Sequence, residues 1–213
     1  IFPKLKRMGL NTVLTPMYWD LFEPEEGKFD FSLTDKVLDE ARNNDLKVVF
    51  LWFGAWKNSM SCYAPEWFKA DSKRFPRAHT KTGKPLEIAS AFSENVFKAD
   101  NKAFTEWLNH LEEVDGKSGT VIMIQIENEI GMHENARDFS SDATKLYNSE
   151  GPADLGSFIQ KNRNNLHPWL KEKLSTTKTV TTKGKFTWTQ LFGDDIFTEE
   201  IFTAYHYAKY VER

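Results

Sequence analysis

The side chains best suited to chemistry lie within residues 120–131, which read TVIMIQIENEIG. Amide and acid groups are concentrated at the carboxyl end of this segment, at Gln125, Glu127, Asn128 and Glu129. A carboxylic acid can protonate a leaving-group oxygen, and a neighbouring carboxamide can hold a sugar hydroxyl, so the composition suits glycoside hydrolysis. Acids at strand ends also cap helices or pair with basic residues, so the motif alone leaves a purely structural role equally open.

The apolar residues before this cluster predict the strand that positions it. The β-branched, nearly continuous run 121–126 is typical of a strand in a parallel sheet covered on both faces. Two further runs, Asn11 to Tyr18 and Leu46 to Phe53, also predict strands. Ligand sites collect at the carboxyl ends of parallel strands, which is where the acid cluster falls.

Helical periodicity separates these strands. A helix is predicted from a cap at Ser32 or Thr34 to about Asn44, and another from Asp100 to Lys117. Strand, helix, strand, helix, strand is the alternation of an α/β fold with a parallel sheet.

The remaining segments are predicted from local composition. A helix runs from Phe2 to Met8 and ends at Gly9, and a long irregular stretch at 54–86 is expected to be a functional loop. Further helices are predicted near 154–164 and from Thr198 onwards, with a solvated loop at 173–185. The first and last predicted helices run to the ends of the sequence, and we expect these ends to be cuts through longer helices. Three strands use about 130 residues, whereas an eightfold barrel needs roughly 250. We therefore expect residues 1–213 to be one incomplete domain, truncated at both ends.

Composition restricts the classes of partner. The chain has 213 residues, 40% of them hydrophobic, and a formal net charge of -3, which is typical of a globular protein. Its 28 basic residues are scattered among 31 acidic ones, so no nucleic-acid partner is expected. The longest apolar run, Val48 to Ala55, is too short to span a membrane. The five histidines and the single Cys62 have no metal-ligand spacing, so neither a metal nor a cofactor is expected. Oligomeric state stays open.

Four separated segments resemble a known enzyme family. IQIENEIG is similar to the acid/base motif of glycoside hydrolase family 35, the β-galactosidases built on a (β/α)8 barrel, and TPMYWDLFEPEEGKFDFS resembles that family's second-strand signature. LWFGAWKNSMSCYAPEWFKAD and FGDDIFTEEIFTAYHYAKYVE resemble a bacterial branch whose members are usually exported or periplasmic. The resemblance implies a partial (β/α)8 TIM barrel covering about strands 2–4 and their helices, in a periplasmic or extracellular enzyme.

The resemblance also implies roles for the acid cluster. Glu129 corresponds to the general acid/base, Asn128 to the residue holding the sugar's 2-hydroxyl, and Glu127 to a ligand of further hydroxyls. The family's nucleophile is a glutamate at the end of the seventh strand, which this chain does not reach. Two glutamates two residues apart on one strand would point to the same face about 7 Å apart. They would approach a sugar from one side only, so we do not expect them to be the catalytic pair.

A departure from the family pattern marks further candidates. Where many members carry Ala-Glu before a tryptophan, this chain reads GAWKN, which makes Trp56, Lys57 and Asn58 candidate sugar contacts. Core packing accounts for Trp52 and Trp67 as well as a sugar-binding cleft does.

Glu23, in the second-strand signature, fits a structural role as well as a functional one. The function implied is a retaining hydrolase of terminal β-galactosides, acting on an oligosaccharide or polysaccharide. The alternatives are a noncatalytic carbohydrate-binding barrel and a purely structural barrel fragment.

Overall fold

A computed structural model describes residues 1–133, 135–175 and 187–213. Most of the loop expected at 173–185 lies outside the described residues, and its first three residues end a helix. Along the chain the helices and strands follow in the order α1 Phe2–Arg7, β1 Thr12–Tyr18, α2 Trp19–Phe22, α3 Ser32–Asn43, β2 Lys47–Lys57, α4 Glu66–Ala70, β3 Arg77–His79, β4 Pro85–Ala89, α5 Glu94–Asp115, β5 Val121–Asn128, α6 Ser141–Tyr147, α7 Ala153–Lys161, α8 Pro168–Ser175, α9 Trp188–Phe192 and α10 Ile196–Glu212.

The three predicted strands form one parallel sheet in the order β1-β2-β5. Thr12 pairs with Lys47 at the start of the β1–β2 ladder, and Tyr18 pairs with Phe53 at its end. Strands β2 and β5 are in register from Val49 with Met123 to Trp52 with Ile126, between one irregularity next to Val48 and a second before Lys57 pairs with Asn128. The carboxyl ends of all three strands therefore meet at one edge, and the predicted parallel α/β fold is confirmed.

Helices α3 and α5 cover one face of this sheet. Trp52 of β2 stacks on Trp107 of α5 with ring centroids 5.5 Å apart, and both side chains are buried. The Trp107 indole N–H donates a hydrogen bond to Thr34 Oγ1 of α3 at 2.9 Å, which joins the two helices. Large aromatic rings thus fill the layer between sheet and helices and fix the strands that carry the candidate site.

The other face of the sheet is open among the described residues. Leu14 of β1 and Met123 of β5 are 67% and 63% exposed, and Ile122 is exposed as well. The expectation that the third strand is covered on both faces is therefore wrong for this structure, because β5 is an edge strand and α5 packs on one side only.

Two helix starts differ from the sequence prediction. Helix α3 has Phe31 as its N-cap without a side-chain cap, and the Asp30 carboxylate instead accepts a hydrogen bond from the Ser32 amide at 2.8 Å. Helix α5 begins at Glu94, six residues before the predicted start, because the Ser93 hydroxyl accepts a bond from the Val96 amide.

The stretch at 54–86 is more ordered than the sequence predicted. It contains the end of β2, helix α4 and the hairpin of β3 with β4. Gly83 sits in the hairpin connection with φ of +83°, a backbone conformation that glycine adopts freely.

Candidate active site

Backbone hydrogen bonds join the carboxyl ends of β2 and β5. The Asn58 amide donates to the Asn128 carbonyl at 3.1 Å, and the Ser59 amide donates to the Glu129 carbonyl at 3.0 Å. The Ser59 hydroxyl donates to the same Glu129 carbonyl at 3.1 Å. Asn58 and Ser59 adopt the left-handed conformation, with φ of +54° and +56°. The two loops are thus held together by specific bonds at the edge where a ligand site was predicted.

Glu129 presents its carboxyl group to solvent at this junction. Its side chain is exposed, whereas its backbone carbonyl accepts both bonds from Ser59. The neighbouring Asn128 is half-buried, Lys57 is half-buried and Asn58 is exposed. The Lys57 ammonium hydrogen-bonds to the Asn58 side-chain oxygen. Four of the six predicted site residues therefore lie together on an accessible surface.

Glu127 lies in a different environment. Its side chain is buried, with one carboxyl oxygen accepting the Ala55 amide at 3.1 Å and the other accepting the Trp56 amide at 2.8 Å. The expectation that Glu127 and Glu129 point to the same face is wrong, because both have left-handed backbones, with φ of +59° and +52°, and strand alternation does not hold there. The Glu127 carboxyl group therefore binds backbone amides at the end of β2, whereas the sequence predicted that it would bind sugar hydroxyls.

Asp100 of α5 completes this buried cluster and was missed from the sequence. It accepts bonds from the Trp52 indole N–H at 3.0 Å and the Tyr210 hydroxyl at 2.9 Å. Its Oδ1 and Glu127 Oε1 lie 2.3 Å and 2.7 Å from the same point, a Cβ built on Gly54, so the two carboxyl oxygens are within about 5 Å of each other. Burial raises the pKa of Asp100, and burial together with the Asp100 charge raises the pKa of Glu127 well above its usual value. The available signal was an acid on the buried face of α5, the face that also carries Ala103.

Gly54 makes room for these contacts. A Cβ atom built on Gly54 would lie 2.2 Å from Trp52 Nε1, 2.3 Å from Asp100 Oδ1 and 2.7 Å from Glu127 Oε1. Any side chain at position 54 would displace atoms of the cluster, so the strand needs glycine at this point.

Trp56 is fully buried beside the same cluster. Its indole N–H donates to the Ala89 carbonyl at 3.3 Å, and its ring meets the Tyr210 ring edge-on at 4.5 Å. The tryptophan expected to stack on sugar therefore has no exposed ring face in this structure, and its contacts support the loop that carries Lys57 and Asn58.

Glu23 also supports a loop. Its carboxylate accepts bonds from the Trp19 indole N–H at 2.8 Å and the Gly27 amide at 2.7 Å, and its backbone carbonyl accepts the Trp67 indole at 3.0 Å. Burial raises its pKa. These contacts favour the structural role for Glu23 and a packing role for Trp67.

Two half-buried tyrosines lie at the same edge of the sheet. Tyr18 ends β1 and Tyr63 follows β2, and their ring centroids are 4.8 Å apart. Phe53 stacks on Tyr63 at 5.6 Å, and the Lys57 ammonium lies 5.3 Å from the Phe53 ring centroid. Tyr18 at a predicted strand end was the signal in the sequence for this aromatic surface, whereas Tyr63 lies in the stretch predicted to be irregular.

A cleft opens beside the segment that follows Glu129. It has a volume of about 670 Å³ and lies between residues 130–133 and helix α10. Its wall includes the side chains of Phe139, Glu199 and Glu200. The cleft therefore begins at the residue that follows Glu129 in the chain.

The residues that the structure describes contain neither a membrane-spanning helix nor a cluster of metal-binding side chains. No helix in the described part of the chain is long and apolar enough to cross a membrane. Within the same residues, no group of three or more His, Cys, Asp or Glu side chains is arranged to hold a metal ion.

The chain is similar to a curated beta-galactosidase and to curated beta-galactosidase-like proteins. A beta-galactosidase of Xanthomonas manihotis is 27% identical over 151 residues, which cover 70% of this chain and 23% of the relative. Beta-galactosidase-1-like protein 3 of Rattus norvegicus is 28% identical over 160 residues, with 71% and 23% covered. The chain thus spans about a quarter of the length of these relatives.

Solved structures resemble the chain in fold. A catalytic mutant of Gan42B, a GH42 beta-galactosidase from G. stearothermophilus, matches with a TM-score of 0.59 and 16% identity, covering 99% of this chain and 29% of that one. A beta-galactosidase from the psychrophilic Marinomonas ef1 matches with a TM-score of 0.58 and 14% identity, covering 99% and 32%. The likeness confirms the predicted partial (β/α)8 fold.

The family assignment from the motifs needs one correction. The Glyco_hydro_42 family model, described as beta-galactosidase, matches residues 1–196. The motifs indicated a β-galactosidase family correctly but selected family 35, because short acid motifs at strand ends do not separate families of similar fold and chemistry. The chain belongs to glycoside hydrolase family 42.

Proposed function

We propose that this chain supplies the acid/base side of a β-galactosidase active site, with Glu129 as the general acid/base of a retaining double-displacement reaction. One observation carries the proposal: Glu129 has an exposed carboxyl group on a backbone fixed by two bonds from Ser59, at the carboxyl edge of the parallel sheet. The β-galactosidase family match and the relatives support a β-galactoside as the substrate, and in our proposal it is a terminal β-galactoside of an oligosaccharide or polysaccharide.

The contacts of the two glutamates favour Glu129 over Glu127. A general acid must come within hydrogen-bond reach of the glycosidic oxygen. Both oxygens of the Glu127 carboxyl group already accept backbone amides in the interior. The carboxyl group of Glu129 is accessible, and in our proposal the cleft that begins at the next residue provides room for the leaving group.

The reaction proceeds in two steps. In the first, Glu129 protonates the glycosidic oxygen while a carboxylate on the opposite side of the sugar attacks the anomeric carbon, and the aglycone leaves as an alcohol. In the second, Glu129 takes a proton from water, which attacks the glycosyl ester and restores the nucleophile. A retaining pair requires carboxyl groups about 5–5.5 Å apart on two sides of the sugar. In our proposal the nucleophile is a glutamate outside this chain.

Neighbouring side chains provide polar and stacking contacts for the sugar. Asn128 offers both a donor and an acceptor next to Glu129, and in the proposal it holds the 2-hydroxyl. Lys57 and Asn58 lie on the adjoining loop, which is bonded to Asn128. Tyr18 and Tyr63 present half-buried rings of the kind that stack on the apolar face of a sugar.

Replacing Glu129 tests the role in the β-galactosidase that contains this chain. Glu129→Ala should reduce hydrolysis of lactose roughly 10²- to 10⁴-fold, because its leaving group needs a proton. The first step with a dinitrophenyl β-galactoside should continue, because this leaving group departs unprotonated. Added azide, which needs no general base, should then speed turnover and give a β-galactosyl azide of retained configuration.

Glu113→Ala is the matched control, since Glu113 is an exposed glutamate near the end of α5, beside the amino end of β5 and so at the edge of the sheet opposite the strand junction. It should keep near wild-type rates with both substrates and show no azide product. Equal loss with both substrates in Glu129→Ala, or azide rescue of Glu127→Ala in its place, would contradict the assignment. A wild-type protein that binds galactosides without cleaving them would favour the noncatalytic carbohydrate-binding alternative.

A further inference from the structure

Two buried carboxyl groups meet behind the exposed Glu129. Asp100 comes from helix α5 and Glu127 from the end of β5, and both are buried. Neither touches the accessible surface on which Glu129 and Asn128 lie. Buried acids are rare unless they are paired or hydrogen-bonded, so this pair calls for a structural or functional cause.

Hydrogen bonds connect the loop after β2 and the loop after β5 in both directions, and Glu127 accepts two of them. The Glu127 carboxyl group accepts the Ala55 and Trp56 amides, which fixes the end of β2 from β5. The Asn58 and Ser59 amides donate to the carbonyls that follow Glu127, which fixes the end of β5 from β2. Each loop therefore holds the other, and the Glu129 carbonyl is one of the groups held.

We propose that Asp100 and Glu127 are positioning residues for Glu129, and that they form a carboxyl clasp in which one shared proton joins helix α5 to the loops after β2 and β5. The inference rests on the proposed function in one respect only, the acid/base role of Glu129. The clasp itself is a property of the fold.

The requirement for one proton follows from the partners of each group. Asp100 Oδ1 and Glu127 Oε1 are both buried and lie within about 5 Å of each other, on either side of a Cβ position at Gly54. Two ionised carboxylates this close in a buried site repel each other and can only accept hydrogen bonds, so joining them requires a proton on one of them. The other neighbours of Asp100 are donors, namely the Trp52 indole and the Tyr210 hydroxyl. Burial raises the pKa of Tyr210 well above its usual value, which keeps this hydroxyl a donor.

No described cation forms an ion pair with the clasp. The adjoining cavity, of about 280 Å³, has Glu212 and Arg213 on its wall, and the Arg213 guanidinium is paired with Glu94 at 2.9 Å. The shared proton therefore has no neighbouring salt bridge to replace it.

The clasp makes folding stability depend on pH in a defined direction. Both carboxyl groups have raised pKa values in the folded protein, so the folded state holds a proton that the unfolded chain has released above the ordinary carboxyl range. This contribution is complete in acid and is lost as the pH rises through the folded pKa of the pair.

The experiment measures melting temperature from pH 5 to pH 8 in the β-galactosidase that contains this chain. Asp100→Asn and Glu127→Gln each replace the shared, titrating proton by an amide N–H that does not titrate, and each loses one accepted hydrogen bond, so both should melt lower than wild type in acid. The difference from wild type should shrink by about 3 °C or more as the pH rises, because only wild type loses the shared proton. Asp115→Asn is the matched control, since Asp115 is a buried acid whose partners, the Val121 amide and Arg42, are donors and whose pKa is lowered. Asp115 is therefore ionised in both the folded and the unfolded state from pH 5 to pH 8, and this variant should keep the wild-type slope over that range.

Kinetics test the positioning role separately. Asp100→Ala breaks the clasp without touching the substrate surface, and it should lower kcat for lactose roughly 10- to 100-fold with little change in KM. Asp100→Asn should recover part of kcat, because its amide N–H replaces the shared proton.

Parallel pH slopes in wild type and both amide variants would overturn the shared proton. An Asp100→Ala enzyme with wild-type kcat would overturn positioning. A wild type without hydrolytic activity would instead reject the proposed function, and the melting data would still decide whether the clasp exists.

Discussion

The close approach at Gly54 gives the sharpest test of the buried cluster. In Gly54→Ala the new methyl group would start within 2.3 Å of Trp52 Nε1 and Asp100 Oδ1, which is far inside van der Waals contact. Overpacking of this kind costs about 1–3 kcal/mol. Relief of the clash separates at least one buried donor from its acceptor, which costs about another 1–3 kcal/mol.

We therefore expect Gly54→Ala to lower the free energy of unfolding by about 2–6 kcal/mol. For a folding unit of 213 residues, that corresponds to a fall in melting temperature of about 4–24 °C. Circular dichroism melts of purified protein measure the change, and the near-ultraviolet signal, to which the buried tryptophans including Trp52 contribute, reports disturbance of the packing. Activity should fall with stability, because the methyl group also presses on Glu127.

Gly156→Ala is the control for the same chemical change. Gly156 lies in helix α7 with no atom within 4 Å of a new Cβ, and alanine is the better helix former by about 1 kcal/mol. Its melting temperature should stay level or rise. If Gly54→Ala melts within about 2 °C of wild type, the packing around the clasp is looser than the distances indicate and the reasoning fails.

Three further substitutions test separate contacts. Asn128→Ala should reduce hydrolysis of a normal galactoside more than that of its 2-deoxy analogue, and an equal loss in kcat/KM would remove Asn128 from the 2-hydroxyl. Burial raises the pKa of Asp115, but bonds from the Val121 amide, the Thr120 hydroxyl and Arg42 outweigh it and lower the pKa overall, so its stabilising effect is lost as the pH falls through the folded value. Arg42→Ala should therefore reduce the acid sensitivity of the melting temperature, and an unchanged acid limb would contradict this. Ser93→Ala should lower stability by about 1 kcal/mol through loss of the α5 cap, as measured by urea unfolding, and no change in the urea midpoint would show that the cap is not needed.

The sequence predicted the sheet because its signals are local. Runs of β-branched residues ending in polar groups define a parallel strand wherever they occur, and the run at 121–126 is one of them. The exposed position of Glu129 followed from the same rule, since strand ends form the accessible edge of such a sheet.

The buried pair was not predictable in the same way. The separation of Glu127 from Glu129 depends on two left-handed backbone positions, and glutamate has no preference for that conformation that a sequence displays. In the sequence Asp100 is one polar residue within a predicted helix, and its partners Tyr210 and Glu127 are distant residues that only the fold brings close to it. Trp56 was misjudged as a sugar contact for the same reason, because the ring that covers it comes from Tyr210, far along the chain.

The bond between Tyr210 and Asp100 also orders events during synthesis, since it joins residues 110 positions apart. At ribosomal rates of about 5–20 residues per second, Asp100 is made roughly 5–20 s before its hydroxyl donor. During that interval the sheet can pair, since β1, β2 and β5 precede helix α10. Until Tyr210 has been made, the Asp100 carboxyl group on α5 lacks the hydrogen bond that this hydroxyl donates. A nascent chain stalled before Tyr210 should thus hold its strands while leaving the loops after β2 and β5 open to proteases, and the finished chain should close them.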